Sequence, residues 1–418
     1  MLSYIIRGEK SLKGSVKISG SKNATLPILA TAILNPNEIK FYNVPNIEDI
    51  KVTINILRYL GCKVIQKNNC VIINSKNINK TEIPVDMMCK CRSTVILVGA
   101  MLARFKKVTF SNPGGCNIGK RPIDMHIKAF ERMGVKINRD GDRIICNANK
   151  IKASKINLDF PSVGATENCI LASVFSAGIT HICNSAKEPE IVDLIRCLNK
   201  MGAKIYGAGT STITIFGVKK LHRIEYTIMP DRIETGTFLC AGIITKSSIE
   251  IDSTNPQDLF DMLIKIKEMG CKVWIKPRTI FIKPPKNIKP VNICTKPYPG
   301  FPTDMQPIIG SVLTKANGNS KIKENIFERR FDYCNELKKM KANIVVNKNT
   351  ATIKGNSNIT GTRVRCTDLR AGAALVIAGL GAKGTTVVTN IEHILRGYEN
   401  LDKKLASLGA NIIIKRWE

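Results

Sequence analysis

The sequence predicts an α/β fold in which one unit of about seventy residues is repeated six times. Six near-copies of one pentapeptide begin at residues 60, 133, 201, 269, 340 and 408. The steps between them are 73, 68, 68, 71 and 68 residues, a regular spacing over the whole 418 residues. Six units group naturally as two sets of three. We therefore expect two domains, each large enough to form its own core.

Each pentapeptide marks the end of an amphipathic helix. In every copy but the fifth it contains a glycine, which is typical of a helix that ends in a left-handed residue. A β-hairpin is predicted next. The clearest case is 136–138 with 143–146, because Asp140-Gly141 between them supplies the positive φ angles of a type I′ turn.

A second helix in each copy is apolar nearly all round, as in residues 371–380. Such helices are typically buried on every side, so strands and other helices must surround them. Each is preceded by a residue that can cap the helix. The predicted caps are Ser21, Ser162, Asp231, Thr303 and Thr367, with Cys91-Arg92-Ser93 as a weaker cap in the second copy.

The last copy ends with one hairpin strand that lacks a partner, whereas the chain begins with a lone strand-like segment at residues 4–7. We infer that the N-terminus completes the sixth unit. The first domain is therefore predicted at 22–228, and the second at 1–21 together with 229–418.

The net charge of +31 comes from 64 Lys and Arg against 33 Asp and Glu. Nucleic-acid proteins usually collect such charge in blocks or on one face, with aromatic residues between. Here lysine is scattered beside abundant Ile and Asn. We expect no nucleic-acid partner, although the excess charge draws small anions toward any cleft. A basic nucleic-acid binder remains the alternative from another functional class, and a salt series tests it.

The 14 cysteines show no framework-like spacing, and no signal peptide precedes them. Cys169, Cys197 and Cys240 lie in apolar stretches and are interpreted as core residues. Cys89-Lys90-Cys91 resembles half a metal site, but the sequence offers no second pair. The longest apolar runs, near 95–103 and 371–380, are shorter than a membrane span needs. We expect a soluble cytoplasmic protein that binds no metal.

Cys116 differs from the other cysteines because it lies in a loop, residues 112–122, with three glycines, two prolines and two cations nearby. Such a loop can move. Neighbouring cations favour a thiolate, which suits proton transfer or nucleophilic attack. The alternative is a surface turn with an incidental cysteine.

Several predicted helix starts carry charged or amide side chains. If pseudo-threefold symmetry directs these N-termini toward one cleft, they form a strong site for an anionic, phosphorylated substrate. Taken singly, each is also compatible with a solvated cap. The residues are Lys22, Asn23, Arg92, Asp231, Asp304, Asp368 and Arg370.

These motifs together resemble the UDP-N-acetylglucosamine 1-carboxyvinyltransferase family of the EPSP synthase/enolpyruvyl transferase superfamily, over residues 2–418. The resemblance implies an inside-out α/β barrel of two similar domains, each of three βαβαββ units, with boundaries near residues 21 and 229 and the active site between them. The matching motifs are Gly20-Ser21-Lys22-Asn23, Pro113-Gly114-Gly115-Cys116, Ile118-Gly119, Arg121-Pro122, Glu188-Pro189-Glu190, Pro302-Thr303-Asp304, Arg330-Phe331, Asp368-Leu369-Arg370 and Arg396-Gly397-Tyr398.

The resemblance also implies the reaction: the 3′-hydroxyl of UDP-N-acetylglucosamine adds to C2 of phosphoenolpyruvate through a tetrahedral ketal, and phosphate leaves. This is the first committed step of peptidoglycan precursor synthesis. Cys116, in a loop implied to be mobile, is the acid toward C3 and a site of covalent adducts, and Asp304 is the base. The implied catalytic set is Cys116, Asp304, Lys22 and Arg396, with no metal and no cofactor.

Two sets of ligand contacts follow from the same resemblance. Those to phosphoenolpyruvate are Lys22, Asn23, Arg121, Arg330, Arg370 and Arg396, of which Arg330 and Arg370 are implied to close the cleft. Those to the nucleotide sugar are Arg92, Arg121, Pro122, Ile123, Asp124, Met125, Ser162, Val163, Gly164, Asp304 and Ile326. The implied partners are therefore these two small molecules, with no nucleic acid or membrane, and we expect a monomer, with an oligomer left open.

The chain departs from the family pattern at a few positions. Phe160-Pro161 stands where some relatives carry Lys-Val, so a cation near the diphosphate is absent or supplied by another residue. Ile96 replaces Trp, Arg329 replaces Asn, and Met340-Lys341-Ala342 lacks the usual glycine. Two alternatives within the fold stay open. The shikimate-pathway enolpyruvyl transferase lacks the Pro-Gly-Gly-Cys loop, and a catalytically inactive anion-binding relative is expected to lose Lys22, Cys116, Asp304 or Arg396.

Overall fold

The computed structural model describes residues 2–115, 118–119 and 121–416, which divide into two compact units. Among these residues, one unit consists of 2–19, 118–119 and 230–416 and is called the split unit, because both ends of the chain contribute to it. The other consists of 20–115 and 121–229 and is called the continuous unit.

The strands are short, mostly of three to six residues. In chain order they are β1 Leu2–Arg7, β2 Ser15–Lys17, β3 Glu38–Tyr42, β4 Lys63–Lys67, β5 Cys70–Asn74, β6 Lys107–Ser111, β7 Lys136–Asp140, β8 Arg143–Asn147, β9 Lys155–Asn157, β10 Ile179–Cys183, β11 Lys204–Tyr206, β12 Thr212–Phe216, β13 Glu225–Thr227, β14 Ile249–Asp252, β15 Lys272–Lys276, β16 Thr279–Lys283, β17 Ile293–Cys294, β18 Asn319–Lys323, β19 Asn343–Asn347, β20 Thr350–Lys354, β21 Arg363–Arg365, β22 Thr385–Thr389 and β23 Asn411–Arg416.

The helices alternate with these strands. They are α1 Lys22–Thr31, α2 Glu48–Leu60, α3 Val85–Met88, α4 Ile96–Phe105, α5 Asp124–Arg132, α6 Val163–Ser173, α7 Pro189–Lys200, α8 Arg232–Ile244, α9 Phe260–Glu268, α10 Gln306–Leu313, α11 Asp332–Lys339, α12 Leu369–Gly381, α13 Glu392–Leu395 and α14 Leu401–Ser407. Short 3₁₀ helices span Ala32–Leu34, Arg92–Val95, Pro256–Leu259 and Thr303–Met305.

Each unit contains three small sheets within the described residues. In the split unit their strand orders are β21-β22-β1-β23, β15-β16-β14-β2 and β17-β18-β20-β19. In the continuous unit they are β13-β3-β5-β4, β6-β8-β7 and β11-β12-β10-β9. The first strand of the chain lies antiparallel between β22 and β23, with Tyr4 opposite both Val388 and Ile414. The next strand, β2, runs parallel to β14 in a different sheet of the same unit.

The hairpin β7–β8 turns one residue later than predicted. Asp140 pairs with Arg143, so Gly141 and Asp142 form the turn. Gly141 has φ +55°, whereas Asp140 belongs to the strand. The predicted Asp140-Gly141 turn is therefore wrong by one position, because the ladder extends to Asp140 before the chain reverses.

The apolar helices lie inside and the sheets outside. Every residue of α8, α10 and α12 is buried, and the three helices pack on one another. In the continuous unit α4 packs on both α1 and α6 in the same way. The strands keep one exposed face, as the strict alternation of buried and exposed residues along β18 shows. This arrangement confirms the predicted fold class, an inside-out α/β barrel built from repeated units.

The helix ends follow the predicted left-handed pattern in all six copies. Gly61, Gly134, Gly202, Gly270 and Gly409 have φ angles between +84° and +111°. In the fifth copy Lys341 takes the same conformation, with φ +68°. The local backbone therefore follows the repeat even where the sequence departs from it, although a residue with a Cβ is less stable in this conformation than glycine.

Three of the predicted helix caps are confirmed. The side chains of Ser21, Ser162 and Asp231 accept hydrogen bonds from backbone N–H groups of the helices that follow. Thr367 is wrong by one residue, because Asp368 accepts from the N–H groups of Arg370 and Ala371. Thr303 is also wrong: its hydroxyl donates to Glu324 instead. Cys91 precedes its 3₁₀ helix without a side-chain cap.

The cysteines predicted to lie in the core do so. Cys169, Cys197 and Cys240 are fully buried, and burial raises the pKa of Cys169 to about 12. Thiols of this kind are poor nucleophiles at neutral pH. Among the described residues, no helix combines the length and the apolar character that a membrane span requires.

Candidate active site

In the split unit, the Asp304 carboxylate lies between two arginines. Asp304 belongs to the 3₁₀ helix Thr303–Met305, just before α10. Arg330 donates a hydrogen bond to Oδ1, and Arg370 donates two to Oδ2, from Nε at 3.1 Å and Nη2 at 2.9 Å. Charge-assisted bonds of this kind are short, strong and directional. One carboxylate thus fixes two guanidinium groups.

Both arginines are buried, at 2% exposure for Arg330 and 3% for Arg370, whereas the Asp304 side chain is 28% exposed. Burial lowers the pKa of the Arg370 guanidinium, but the Asp304 carboxylate, with smaller contributions from Tyr398 and Asp231, raises it overall. Buried charges require close partners of opposite sign. Asp304 is thus the accessible part of an otherwise buried charge network.

Neighbouring groups hold the two arginines in place. Arg330 Nε donates to the Thr303 carbonyl at 3.1 Å, and its Nη1 lies 3.6 Å from Oδ1 of Asp368, the cap of α12. The Arg370 guanidinium lies 5.5 Å from the centre of the Tyr398 ring, whose hydroxyl is 2.8 Å from the Thr237 hydroxyl. Predicted residues from three segments of the sequence therefore meet at one point.

In the continuous unit, Lys22 begins α1 and forms an ion pair with Asp49. The distance from Nζ to Oδ2 is 2.7 Å, and both side chains are largely shielded from solvent. Burial raises the pKa of the nearby Cys91 thiol, and the Asp49 charge raises it further. Cys91 is therefore a protonated core thiol. Asn23, beside Lys22, is half-buried.

Arg92 contacts the segment that the resemblance assigns to the nucleotide sugar. It donates to the carbonyl oxygens of Arg121 and, at 3.2 Å, of Pro122. Burial, and after it the Arg121 charge, lowers the pKa of Arg92 to about 10. An incoming anion is favourable here because it offsets both effects.

The Gly114-Gly115 pair approaches the same arginine closely. A Cβ on Gly114 would lie 1.9 Å from the Cys89 carbonyl oxygen, and one on Gly115 would lie 2.9 Å from the Arg92 Cβ. Gly115 also has φ +122°. Both glycines are needed for the backbone to fit here. The predicted catalytic residue Cys116 follows directly but lies outside the described residues.

His126 links the two segments predicted to bind the nucleotide sugar. It lies in α5, whose first residues are Asp124 and Met125, and its Cε1 atom would be 3.4 Å from a Cβ on Gly164. Its Nδ1 is 2.8 Å from Asn168 Nδ2. Burial, followed by the charge of Arg92, lowers the pKa of His126 to about 4. A neutral imidazole therefore connects residues 121–125 with 162–164.

Asn168 is itself held by backbone groups. Its Nδ2 donates to the Val95 carbonyl at 3.0 Å, and its Oδ1 accepts from the Gly99 N–H at 2.7 Å. The amide orientation is thus determined by two backbone partners. Asn168 Nδ2 donates to His126 Nδ1, which places the imidazole proton on Nε2.

The Glu188-Pro189-Glu190 motif lies beside the helix that contains the predicted site residues Val163 and Gly164. Glu190 and Glu167 are buried. Burial, and then the charges of Glu190 and Glu188, raises the pKa of Glu167 well above its ordinary value. Burial and nearby negative charge both disfavour the ionised form of Glu167. Glu167 was missed by sequence reasoning, because its position in an apolar helix gave no signal beyond a single acidic residue.

The positions that depart from the family pattern have local contacts. Phe160 is exposed, and the adjacent Asp159 pairs with Lys128 at 3.1 Å, so a cation is present near this segment. Arg329 pairs with Asp332 at 2.9 Å, and its N–H donates to the Ile118 carbonyl at 3.0 Å within the split unit. Of the other predicted contacts, Ile326 and Arg396 are half-buried in the split unit.

The sequence reasoning did not identify Asp49, His126, Asn168 or Glu324. Asp49 was detectable in principle as one of two acids in the first turn of α2. The others gave no such signal, because each is a single polar residue whose partner is distant in the sequence.

Comparison with known proteins identifies the family of this chain. Residues 6–405 match the family described as EPSP synthase (3-phosphoshikimate 1-carboxyvinyltransferase). A relative named UDP-N-acetylglucosamine 1-carboxyvinyltransferase 2 from Caldanaerobacter subterraneus subsp. tengcongensis is 48% identical over 414 residues, covering 99% of each chain. A UDP-N-acetylglucosamine 1-carboxyvinyltransferase from Geotalea uraniireducens is 45% identical, again over 99% of each chain.

Solved structures give the same result for the fold. The enolpyruvyl transferase NikO from Streptomyces tendae superposes with a TM-score of 0.91 at 25% identity, covering 100% of this chain and 99% of that one. An EPSP synthase from Acinetobacter baumannii superposes with a TM-score of 0.78 at 17% identity, covering 99% and 100%. The length of the match and the level of identity to the first group of relatives decide the assignment. The chain belongs to the UDP-N-acetylglucosamine 1-carboxyvinyltransferases, within the wider EPSP synthase family.

Proposed function

We propose that this protein transfers the enolpyruvyl group of phosphoenolpyruvate to the 3′-hydroxyl of UDP-N-acetylglucosamine and releases phosphate. In the addition step the sugar oxygen bonds to C2, C3 gains a proton, and the hydroxyl proton passes to a base. In the elimination step C3 loses a proton as the C2–O bond to phosphate breaks. The step belongs to peptidoglycan precursor synthesis, and we expect a cytoplasmic monomer to perform it.

The observation that carries the proposal is the Asp304 carboxylate between Arg330 and Arg370. A carboxylate close to where an anion is held can act as the base for an alcohol, and these two guanidiniums suit a phosphate or carboxylate group. In the structure both carboxylate oxygens accept from arginine. An anionic substrate competes for the same donors. We therefore propose that phosphoenolpyruvate draws Arg330 and Arg370 away from Asp304 and so frees the base.

The remaining predicted contacts divide by unit. Lys22, Asn23 and Arg121 in the continuous unit, and Arg396 in the split unit, supply positive charge or amide donors for phosphoenolpyruvate. Arg92 with residues 121–125 and 162–164 supplies the contacts to the nucleotide sugar. With fixed cations at these positions, developing negative charge on the carboxylate and phosphate is stabilised electrostatically.

Phosphate release from phosphoenolpyruvate tests the function directly. The purified protein is given UDP-N-acetylglucosamine in one reaction and shikimate 3-phosphate in another. Release only with the nucleotide sugar is the expected result. Release only with shikimate 3-phosphate would keep the fold and overturn the substrate assignment. No release in either reaction would indicate an inactive relative.

The proposed acid, Cys116, has a separate chemical test. Fosfomycin, a small epoxide phosphonate, is expected to alkylate this thiol in the presence of the nucleotide sugar. Intact-mass analysis should then show one adduct on the parent protein and none on Cys116→Ser. An adduct that persists in the variant would place the reactive thiol elsewhere.

A further inference from the structure

Glu324 lies directly after β18 in the split unit, and its side chain is buried at 3% exposure. Its carboxylate accepts four hydrogen bonds. Oε1 accepts from the Thr295 hydroxyl at 2.9 Å, the Ile326 N–H at 2.8 Å and the Phe327 N–H at 3.2 Å. Oε2 accepts from the Thr303 hydroxyl at 3.1 Å. Within the described part of the chain, these four donors satisfy the buried carboxylate.

Two of the four donors, Thr303 and Phe327, belong to residues that adjoin or contact the Asp304–Arg330 pair. Thr303 precedes Asp304, and its carbonyl oxygen accepts from Arg330 Nε at 3.1 Å. The Phe327 ring centre is 5.6 Å from the Arg330 guanidinium. Glu324 therefore connects the segment that carries the proposed base with the segment that leads to Arg330.

Thr295, which is fully buried, also holds the 324–327 turn in place. While its hydroxyl donates to Glu324, its oxygen accepts from the Asn325 N–H at 2.9 Å. The turn at 324–327 is thus fixed to strand β17 as well as to residue 303. Few movements of this turn are possible without breaking several of these bonds.

We propose that Glu324 is a positioning residue for the proposed base Asp304, acting through Thr303 and the 324–327 turn. The inference rests on the proposed function. The carboxylate offers only acceptors, and the Ile326 and Phe327 N–H groups can only donate to it. Glutamine keeps the size and the acceptor at the Oε1 position, but its NH₂ group faces the Thr303 hydroxyl, which must turn from donor to acceptor. The fold survives such a change, while the base moves relative to Arg330, and displacements of about 1 Å lower turnover about 100-fold.

The test compares Glu324→Gln with Asp252→Asn. Asp252, in β14, accepts hydrogen bonds from the hydroxyls of Ser15 and, at 3.0 Å, of Thr279, in a different sheet of the same unit. We expect Glu324→Gln to lower kcat at least about tenfold with KM for phosphoenolpyruvate changed less than about threefold. Asp252→Asn should keep the kcat of the parent protein. Equal kcat losses in the two variants, or none in Glu324→Gln, would overturn the positioning role.

A double variant examines the path through Thr303. Thr303→Val removes the hydroxyl but keeps the shape of the side chain. If Glu324 acts through this hydroxyl, the double variant has nearly the kcat of Glu324→Gln alone, because coupled residues are not additive. Fully multiplicative losses would show that Glu324 acts by another route and would contradict the proposal.

One readout does not depend on turnover. The ¹H–¹⁵N signal of Arg330 Nε reports the hydrogen bond to the Thr303 carbonyl. It should shift and broaden in Glu324→Gln but remain unchanged in Asp252→Asn. An unchanged signal refutes the positioning role even if the parent protein releases no phosphate, whereas a parent protein without phosphate release refutes only the proposed reaction.

Discussion

Arg330 and Arg370 in the split unit are held by a different kind of partner from Arg92 in the continuous unit. In the split unit Asp304, Arg330 and Arg370 form a closed network of full charges. In the continuous unit Arg92 donates to neutral carbonyl oxygens, and His126 is buried as a neutral imidazole. Breaking a buried ion pair is expensive, whereas a cation held by carbonyls gains a stronger partner when an anion arrives. The Asp304 network therefore suits chemistry that starts when a substrate breaks its ion pairs. The Arg92 region suits the recognition of an anion.

The largest expected effect comes from removing the carboxylate of the closed network. Asp304→Ala should abolish phosphate release and lower the free energy of unfolding by roughly 3 kcal/mol or more, because two buried guanidiniums lose this partner. Calorimetry should show that UDP-N-acetylglucosamine still binds. Asp332→Ala is the matched control, since Asp332 also pairs with an arginine but is 37% exposed. Its effect on stability should stay below about 1 kcal/mol.

If Asp304→Ala keeps its fold but loses nucleotide-sugar binding, Asp304 is chiefly a ligand contact. That outcome would remove the distinction between the Asp304 network as a site of chemistry and the Arg92 region as a site of recognition.

A smaller effect is expected in the recognition region. Arg92→Met should raise KM for UDP-N-acetylglucosamine about 10- to 100-fold, because a charged hydrogen bond contributes about 1.5–3 kcal/mol. Steady-state kinetics should show kcat changed less than about threefold. Arg104→Met is the control. Arg104, in the last turn of α4, donates to the carbonyls of Ile33 at 2.9 Å and Ser75 at 3.0 Å, neither of which is a predicted site residue. A KM effect of the same size in both variants would contradict specific recognition by Arg92.

Glu234 in the split unit and His126 in the continuous unit should contribute to stability with opposite pH dependence. Burial raises the pKa of Glu234 in the split unit to about 7, partly offset by Lys404, and burial lowers that of His126 to about 4. Folded Glu234 binds its proton more tightly than the unfolded chain, so its contribution is present below about pH 4.5 and is lost as pH rises toward 7. Folded His126 binds its proton less tightly, so its contribution is present above about pH 6.5 and is lost as pH falls toward 4.

Urea denaturation midpoints of the parent protein and two variants, measured between pH 4 and 8, distinguish the contributions of Glu234 and His126 to stability. The parent protein shows partial cancellation, because each group changes stability by at most about 1.4 kcal/mol per pH unit and with opposite sign. Glu234→Gln should remove the loss of stability on going from pH 5 to 7, and His126→Gln should remove the loss on going from pH 6 to 4. Identical pH profiles for both variants and the parent protein would rule out this assignment.

The smallest expected effect concerns the helix ends. All three copies in the continuous unit end with glycine, whereas Lys341 takes the left-handed conformation in one copy of the split unit. Lys341→Gly should therefore stabilise the protein by about 1 kcal/mol. The reciprocal variant, Gly409→Ala at φ +100°, should destabilise it by a similar amount in urea unfolding. A loss of stability in Lys341→Gly would mean that the lysine side chain contributes more than the backbone strain removes.

Much of the fold could be predicted because it depends on local rules repeated six times. Glycines after amphipathic helices, apolar helices and capping serines each specify their own neighbourhood. One error arises from a distant partner, because the Thr303 hydroxyl bonds to Glu324. The other two are shifts of one residue: Asp368 caps α12 in place of Thr367, and the β7–β8 turn begins after Asp140. The sequence around Thr303 does not show that its hydroxyl donates to a buried carboxylate from a distant segment.

The candidate site shows the same division. The residues themselves pointed to Asp304, Arg370 and Arg92 as charged groups at predicted helix starts. Arg330 and the recognition role of residues 121–125 came only from the family resemblance. The sequence did not identify Asp49, His126, Asn168 or Glu324 as their supports. Sequence patterns of period 3.6 or 2 report which face of an element is buried, not which side chains from separate elements meet there.

By itself, the sequence determined the six-fold repetition, the burial of the apolar helices and the residue types available for anion chemistry. These follow from hydrophobic periodicity and from the conformations that glycine allows, both of which are local. Only the tertiary structure decided that Asp304 forms ion pairs with two buried arginines. The same holds for Glu324, which accepts hydrogen bonds from both Thr303 and the 324–327 turn. Those features depend on desolvation and on hydrogen bonds between distant segments, and both exist only after the chain has packed.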